Sequence, residues 1–171
     1  MDPGLTERER DTALRALVIT VSNRVAAGVY QDNSGTLLAA LLAEAGCEPV
    51  DGPRVVPDGE LVETALRTGV AEGYDVIVST GGTGVTPQDL TPEFTRPVLD
   101  REIPGIAEAV RQANREKVPT SILSRGLAGQ AGSTLIVNLP GSTGGVRDGM
   151  AILGPILGHI VDQIHGGDHG A

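Results

Sequence analysis

Residues 80–89 read Thr80-Gly81-Gly82-Thr83-Gly84-Val85-Thr86-Pro87-Gln88-Asp89, a glycine-rich turn with hydroxyls inside it and a carboxylate at its end. Glycine lets main-chain N–H groups point into a concavity and approach an anion with no side chain between them. Thr80 and Thr83 add hydroxyl donors. A second segment, Pro140-Gly141-Ser142-Thr143, lies directly before a helical stretch whose first N–H groups can also bind an anion. Two such loops suit a ligand with separated phosphates. The other reading is architectural: each set of glycines closes a tight turn after a buried strand.

Asp89 and Asp58 are the carboxylates nearest this chemistry. Beside a bound triphosphate, a carboxylate serves as a Mg²⁺ ligand or as a positioning base. Both also have a plainer role open to them, because Asp58 can cap the helical stretch that follows it and Asp89 stands just before another. Asp32, in a polar loop over 22–33, and Ser34, directly after that loop, are candidate secondary contacts.

Established phosphate motifs do not describe this pattern. A Walker loop ends in Gly-Lys-Ser/Thr, whereas the single lysine, Lys117, precedes Val118. The dinucleotide spacing fails because Pro87 stands where Gly82-Thr83-Gly84 requires a third glycine. His159, His165 and His169 form no HExxH pattern and have no cysteine neighbour, so no zinc site is read from them. The single cysteine, Cys47, allows no intrachain disulfide and reads as a small buried residue.

The elements that must position these loops alternate in type. ALVITV (16–21), YDVIVST (74–80) and TLIVNL (134–139) are continuous β-branched runs, as expected of strands buried on both faces. Residues 48–56 read as a weaker strand, interrupted by Gly52 and Pro53. Helices are expected over 37–45, capped by Asn33 or Ser34 and stopped at Gly46, and over 60–72, where Leu61, Ala65, Leu66 and Val70 follow helical spacing. Thr91-Pro92 places a cap before a first-turn proline. A further helix follows Pro104 with Ile106, Ala109, Val110 and Ala113 on one side, and a long one spans roughly 143–164. Residues 119–125 read equally as helix or strand. Strands alternating with helices imply βαβ crossovers, hence an α/β protein: a three-layer α/β/α sandwich with a mostly parallel sheet. In such sheets ligands bind beyond the carboxyl ends of the strands, where the three loops fall.

The chain has 171 residues, a length that favours one domain. Its hydrophobic residues make up 40% but its aromatic residues only 2%, so the core must be aliphatic. Thirteen basic residues against 22 acidic ones give a net charge of −9. The bases are dispersed arginines, which argues against nucleic acid as a partner. No apolar run approaches the ~18 residues of a membrane span, and residues 1–14 are too charged for a signal peptide, so a cytoplasmic protein is expected. Residues 1–14 read as a flexible N-terminal arm, 15–165 as one domain and 166–171 as a C-terminal tail.

Residues 80–93, TGGTGVTPQDLTPE, resemble the signature loop of the molybdopterin adenylyltransferase family, the Mog/MoaB group that also includes the G domain of gephyrin and of its plant counterpart. The likeness extends through VSNRVAAGVYQDNSG (21–35), VVPDGE (55–60), REIPG (101–105) and SRGLAGQAGSTLIVNLPGST (124–143) to the closing helix. It covers the chain from residue 15 to about 165. The resemblance implies the molybdenum cofactor biosynthesis protein fold, assembled as a homotrimer or hexamer. It implies Mg-ATP-dependent adenylylation of molybdopterin with release of pyrophosphate, and other proteins of that pathway as partners. Thr80, Gly81, Gly82, Thr83 and Gly84 match the family's substrate-binding loop. Asp89 matches its essential aspartate and is the candidate Mg²⁺ ligand, and Asp58 matches a second acidic position implicated in catalysis. Ser22, Ser124, Pro140, Gly141 and Ser142 match pocket-lining positions.

Three departures stand out. Gln88 replaces a frequent basic residue, Asn23 a frequent acidic one, and PGST stands where PGNP or PGSP is common. They lean towards the MoaB side of the family. The same domain occurs within molybdopterin molybdotransferases and competence-damage-inducible proteins. The alternatives are therefore a non-catalytic molybdopterin-binding or carrier protein and a nucleotide diphosphate hydrolase.

Overall fold

Strands built mostly of apolar side chains need cover on both faces, and the sheet of this protein has it. The computed structural model describes residues 13–167. The strands are β1 (Leu14–Val21), β2 (Cys47–Val56), β3 (Val76–Thr80), β4 (Arg101–Glu102), β5 (Ala128–Ala131) and β6 (Thr134–Leu139), in spatial order β2-β1-β3-β6-β5-β4. The four strands β2, β1, β3 and β6 run parallel, and β5 and β4 add an antiparallel edge. The helices are α1 (Asn23–Ala26), α2 (Asn33–Glu44), α3 (Glu60–Ala71), α4 (Thr91–Thr95), α5 (Pro104–Gln112), α6 (Thr143–Leu153) and α7 (Leu157–Ile164).

The period of two along each strand divides the core. Ala16 and Val18 of β1, Val78 of β3 and Val137 of β6 face one layer, where Leu38 and Leu42 of α2, Val110 of α5, Leu153 of α6 and Val161 of α7 cover them. Leu17 and Ile19, Ile77 and Ile136 face the other, under Val62 and Leu66 of α3 and Val98. Full burial of each such side chain stabilises the fold by roughly 1.5–3 kcal/mol. The three-layer α/β sandwich expected from the alternation is the one observed.

Several local expectations are corrected. The weak strand at 48–56 is a ten-residue edge strand, and an edge tolerates Pro49 and Pro53 because it has one free side. Its register with β1 slips twice, and Gly52 (φ +95°) sits where a Cβ would lie 2.4 Å from Val18 O. Asp32, not Asn33 or Ser34, caps α2 by accepting from Gly35 N at 2.9 Å. Leu90 is the N-cap residue of α4, so Thr91 lies inside the helix. In α3 the buried positions are Val62, Leu66 and Gly69, and Leu61 is exposed. In α5 Ala107 is buried rather than Ala109 or Ala113. Residues 119–125 form neither helix type expected nor strand but a 3₁₀ turn over Pro119–Leu123. A second 3₁₀ turn, Gly154–Ile156, divides the long C-terminal helix at Pro155, which has no N–H to donate. Leu14 belongs to β1, so the expected arm is shorter by at least that residue. Residues 1–12 and 168–171, including His169, lie outside the described residues. Among the described residues no helix is long and apolar enough to cross a membrane.

Candidate active site

The carboxyl ends of β1, β3 and β6 bring three loops into contact. Gly81 N–H donates to Leu139 O at 3.0 Å, and the Thr80 hydroxyl donates to Pro140 O at 2.7 Å. A Cβ on Gly81 (φ +102°) would lie 2.1 Å from Val21 O, so the backbones meet at a distance only glycine permits. Gly141 packs tightly on Gly81, with a Cβ position 3.2 Å from Gly81 Cα. Buried Asn138 braces the junction, donating to Ser79 Oγ at 2.9 Å and Thr95 Oγ1 at 3.2 Å and accepting from Leu127 N at 3.1 Å. Sequence reasoning missed Asn138. A polar residue inside an otherwise apolar strand was the available signal.

Two cavities open on this junction. One, of about 410 Å³, is lined by Thr20, Ser22, Asp32, Ser34 and Thr80 with Gly81. The other, of about 540 Å³, is lined by Thr83, Gly84, Asp89, Ser124, Pro140 and Ser142, with Arg147 at its side. Gly82 and Gly141 line both, so a wall of glycine backbone stands between them. Every candidate site residue named from the sequence except Asp58 thus lines one or both of these cavities.

Several side chains are committed differently from the sequence expectation. The Thr80 proton goes to Pro140 O rather than to a ligand, and Thr80 is only 1% exposed. Ser22 Oγ accepts from Val25 N at 3.2 Å and caps α1, while Ser142 Oγ accepts from Gly145 N at 3.0 Å and caps α6. Their hydroxyl protons are left for other acceptors. Ser124 Oγ donates to Thr83 Oγ1 at 3.2 Å. Asp32 accepts from Thr20 Oγ1 at 2.7 Å besides capping α2.

The two aspartates differ. Asp58 does not cap α3, whose N-cap is Gly59. Its Oδ2 accepts from Leu90 N at 2.9 Å, and its Oδ1 accepts from Gly59 N at 2.8 Å and the Thr91 hydroxyl at 3.2 Å. It ties the far end of the glycine loop to the β2–α3 connection. Gly82 (φ +68°) leaves room for this, since a Cβ there would lie 2.4 Å from Asp58 Oδ2. Asp89 Oδ2 accepts from Thr86 N at 3.0 Å and Thr86 Oγ1 at 2.8 Å, which closes the 86–89 turn. Its Oδ1 takes no hydrogen bond from the described residues, and Asp89 lines the larger cavity. Among the described residues no group of three or more His, Cys, Asp or Glu side chains gathers as a metal site.

Outside the site, His165 Nε2 lies 3.3 Å from Asp75 Oδ1 and 3.1 Å from Ser133 O, at the opposite end of the strands. His159 meets Gln163. Cys47 is buried at the start of β2, and burial, with the Asp75 charge adding, pushes its thiol up to about 11.

A mostly parallel sheet whose carboxyl-end loops share two adjoining cavities defines a three-layer α/β protein. Residues 17–159 match the family described as "Probable molybdopterin binding domain", and the chain belongs to that family. It is 37% identical over 155 residues to the molybdenum cofactor biosynthesis bifunctional protein of Synechococcus elongatus, covering 91% of this chain and 49% of that one. The chain therefore spans about half the length of that relative. It is 36% identical to the molybdopterin adenylyltransferase of Helicobacter pylori over 87% of this chain and 86% of that one. The structure is similar to the molybdopterin biosynthesis Mog protein from Mycobacterium ulcerans, with a TM-score of 0.85, 49% identity and coverage of 90% of this chain and 98% of that one.

Proposed function

We propose that this protein adenylylates molybdopterin with Mg-ATP, giving adenylyl-molybdopterin and pyrophosphate, in molybdenum cofactor biosynthesis. The observation that carries this reading is the pair of cavities sharing the Gly82 and Gly141 wall, which gives two polyanions adjoining places with main-chain donors between them. The relatives called molybdopterin adenylyltransferase support the choice of reaction. In the reaction, an oxygen of the pterin's terminal phosphate bonds to the α-phosphorus of ATP. The bond from that phosphorus to the bridging oxygen breaks, and the electron pair leaves on pyrophosphate.

Such a transfer depends on positioning and charge stabilisation, so it requires no activated side-chain nucleophile. The N–H groups of the glycine loop and of the first turn of α6 bind phosphate oxygens. Arg147, which makes no ion pair with the described residues, supplies a full positive charge to the larger cavity. Mg²⁺ fits a site of this type, because it is commonly held by one or two carboxylates with substrate phosphates completing its shell. Asp89, with Oδ1 free, is the residue that would hold it. When bound, it neutralises phosphate charge. The site residues Ser22, Thr80–Gly84 by their main chain, Ser124, Pro140, Gly141 and Ser142 form the substrate walls.

Incubation with molybdopterin, Mg²⁺ and ATP tests the reading, with adenylylated pterin and pyrophosphate as the expected products. Molybdopterin binding without either product would leave the second reading, a carrier of the same pathway, which the saturated hydrogen bonding of Asp58 and the uncharged Gln88 favour. Assembly as a homotrimer or hexamer belongs to the same proposal. Light scattering that finds only the 17.6 kDa chain at micromolar concentration would count against it.

A further inference from the structure

The 84–89 turn has no apolar packing of its own. Val85 is 64% exposed and residues 85–88 all face solvent, so polar ties alone must hold its shape. Three bonds join Thr86 to Asp89 within the turn, and Arg125 ties its two ends to the rest of the protein. Its main-chain N–H donates to Thr83 O at 2.7 Å. Its Nε donates to Gly84 O and its Nη2 to Asp89 O, each at 2.8 Å. One guanidinium thus grips the carbonyls at both ends of the turn. Glu93, in the first turn of α4, holds the same guanidinium through both carboxylate oxygens. The hydrogen bond to Arg125 draws Glu93 below the usual carboxylate range, and Glu93 in turn raises Arg125 further. Arg111 of α5 fixes the base of this arrangement, donating to Gly126 O at 3.0 Å and Ser124 O at 3.4 Å, on either side of Arg125.

The chemistry of the fork explains the residue type. Arginine presents five N–H donors in a rigid plane, whereas lysine offers three from a single nitrogen and cannot span two carbonyls and a carboxylate together. Because the acceptors on the turn are main-chain oxygens, the grip is indifferent to the side chain at position 88. Fixing the Asp89 carbonyl fixes the direction in which the Asp89 side chain leaves the backbone, and fixing Gly84 fixes the adjoining wall of the larger cavity.

The geometry points to Arg125, clamped by Glu93, as a positioning residue that holds the 84–89 turn in the form that presents Asp89 to the ligand. The kinetic consequence rests on the adenylyl-transfer reading above; the structural consequence does not. The experiment therefore has two arms on the full chain, hydrogen exchange at the amides of Thr86, Asp89 and Leu90, and steady-state adenylyl transfer, for Arg125→Gln, Arg125→Lys and Glu93→Gln. Arg125→Gln is expected to speed exchange at those amides by at least about tenfold while β1, β3 and β6 keep their protection. It should lower kcat by about tenfold or more with KM for ATP moved by less than about threefold. Arg125→Lys should fall between it and the wild type in both arms, and Glu93→Gln should act in the same direction with a smaller effect. Wild-type exchange in Arg125→Gln would overturn the proposal whatever the activity. Faster exchange with unchanged kcat would overturn the positioning role. If the wild type shows no adenylyl transfer, the function reading fails and the exchange arm still decides the grip. If Arg125→Gln does not fold, Glu93→Gln, which alters an exposed pair, decides by the same amides.

Discussion

Replacing Asp58 with Asn separates holding the loop from acting on the ligand. The carboxylate accepts three hydrogen bonds, from Leu90 N on Oδ2 and from Gly59 N and the Thr91 hydroxyl on Oδ1. An amide has one oxygen. Gly59 is buried and Thr91 fully so, whereas Leu90 is 37% exposed. The Asn oxygen is therefore expected to keep Gly59 and Thr91 and to turn its NH₂ towards the Leu90 N–H. Losing one charge-assisted bond to a group that water can reach costs about 1–2 kcal/mol. For a chain of this size that lowers Tm by roughly 2–8 °C. Asp58→Ala abandons all three donors, two of them buried, and should cost about 2–4 kcal/mol. Urea and thermal melts measure these losses, and exchange at the Leu90 amide locates them. Adenylyl transfer assayed beside the melts should fall in step with the loosening of Leu90. Wild-type stability with adenylyl transfer abolished would refute the reasoning and make Asp58 a group that touches the substrate.

Asp89→Asn is expected to fold normally, since the amide oxygen can still accept from Thr86, but to lower adenylyl transfer at least tenfold, or about 1.4 kcal/mol of barrier; unchanged turnover at saturating Mg²⁺ and ATP would remove Asp89 from the site. Gly144 lines the larger cavity, and a Cβ on it meets nothing within 4 Å. Gly144→Leu should therefore keep or raise Tm, because leucine favours helix by about 0.5–1 kcal/mol over glycine, while weakening ligand binding about tenfold by calorimetric titration. Equal affinity would place the ligand elsewhere. With its thiol pushed up to about 11 by burial, Cys47 should resist alkylation by iodoacetamide at pH 8 in the native protein and react once it is unfolded in urea; rapid native labelling would show that β2 opens readily.

How far the sequence could be read follows from the range of the interactions involved. β1, β3 and β6 were legible because a strand covered on both faces is predominantly apolar, and their composition says so locally. β4 and β5 were not. Ala128–Ala131 and Arg101–Glu102 carry neither alternation nor β-branching, and they are strands because each pairs with a neighbour already in place. The loops of the site were legible because their glycines follow buried strands directly. The work of the carboxylates was not: Asp58 stands beside a helix start, so local reading makes it a cap, yet two of its partners lie more than thirty residues away at Leu90 and Thr91. Arg125 escaped notice for the same reason, since its acceptors are main-chain oxygens, which leave no mark in a sequence.

The site also shows how a chain of net charge −9 can face polyanions. At physiological ionic strength the screening length is about 8 Å, so acidic residues on remote surfaces contribute little at the cavities. Of the nearby acidic groups, Asp32 lines the smaller cavity and Asp89 and Asp148 the larger, and others are already matched. Asp58 is surrounded by three donors, and Glu93 is joined to Arg125. Asp89 lines the larger cavity, and on the adenylyl-transfer reading proposed above a divalent cation shared with substrate phosphates would turn its charge into an attraction. Against this stand the backbone at Gly82 and Gly141, which lines both cavities, the first turn of α6, and the Arg147 guanidinium beside the larger one. Dipoles fixed in a backbone wall act at contact distance, where dissolved salt has no room to intervene.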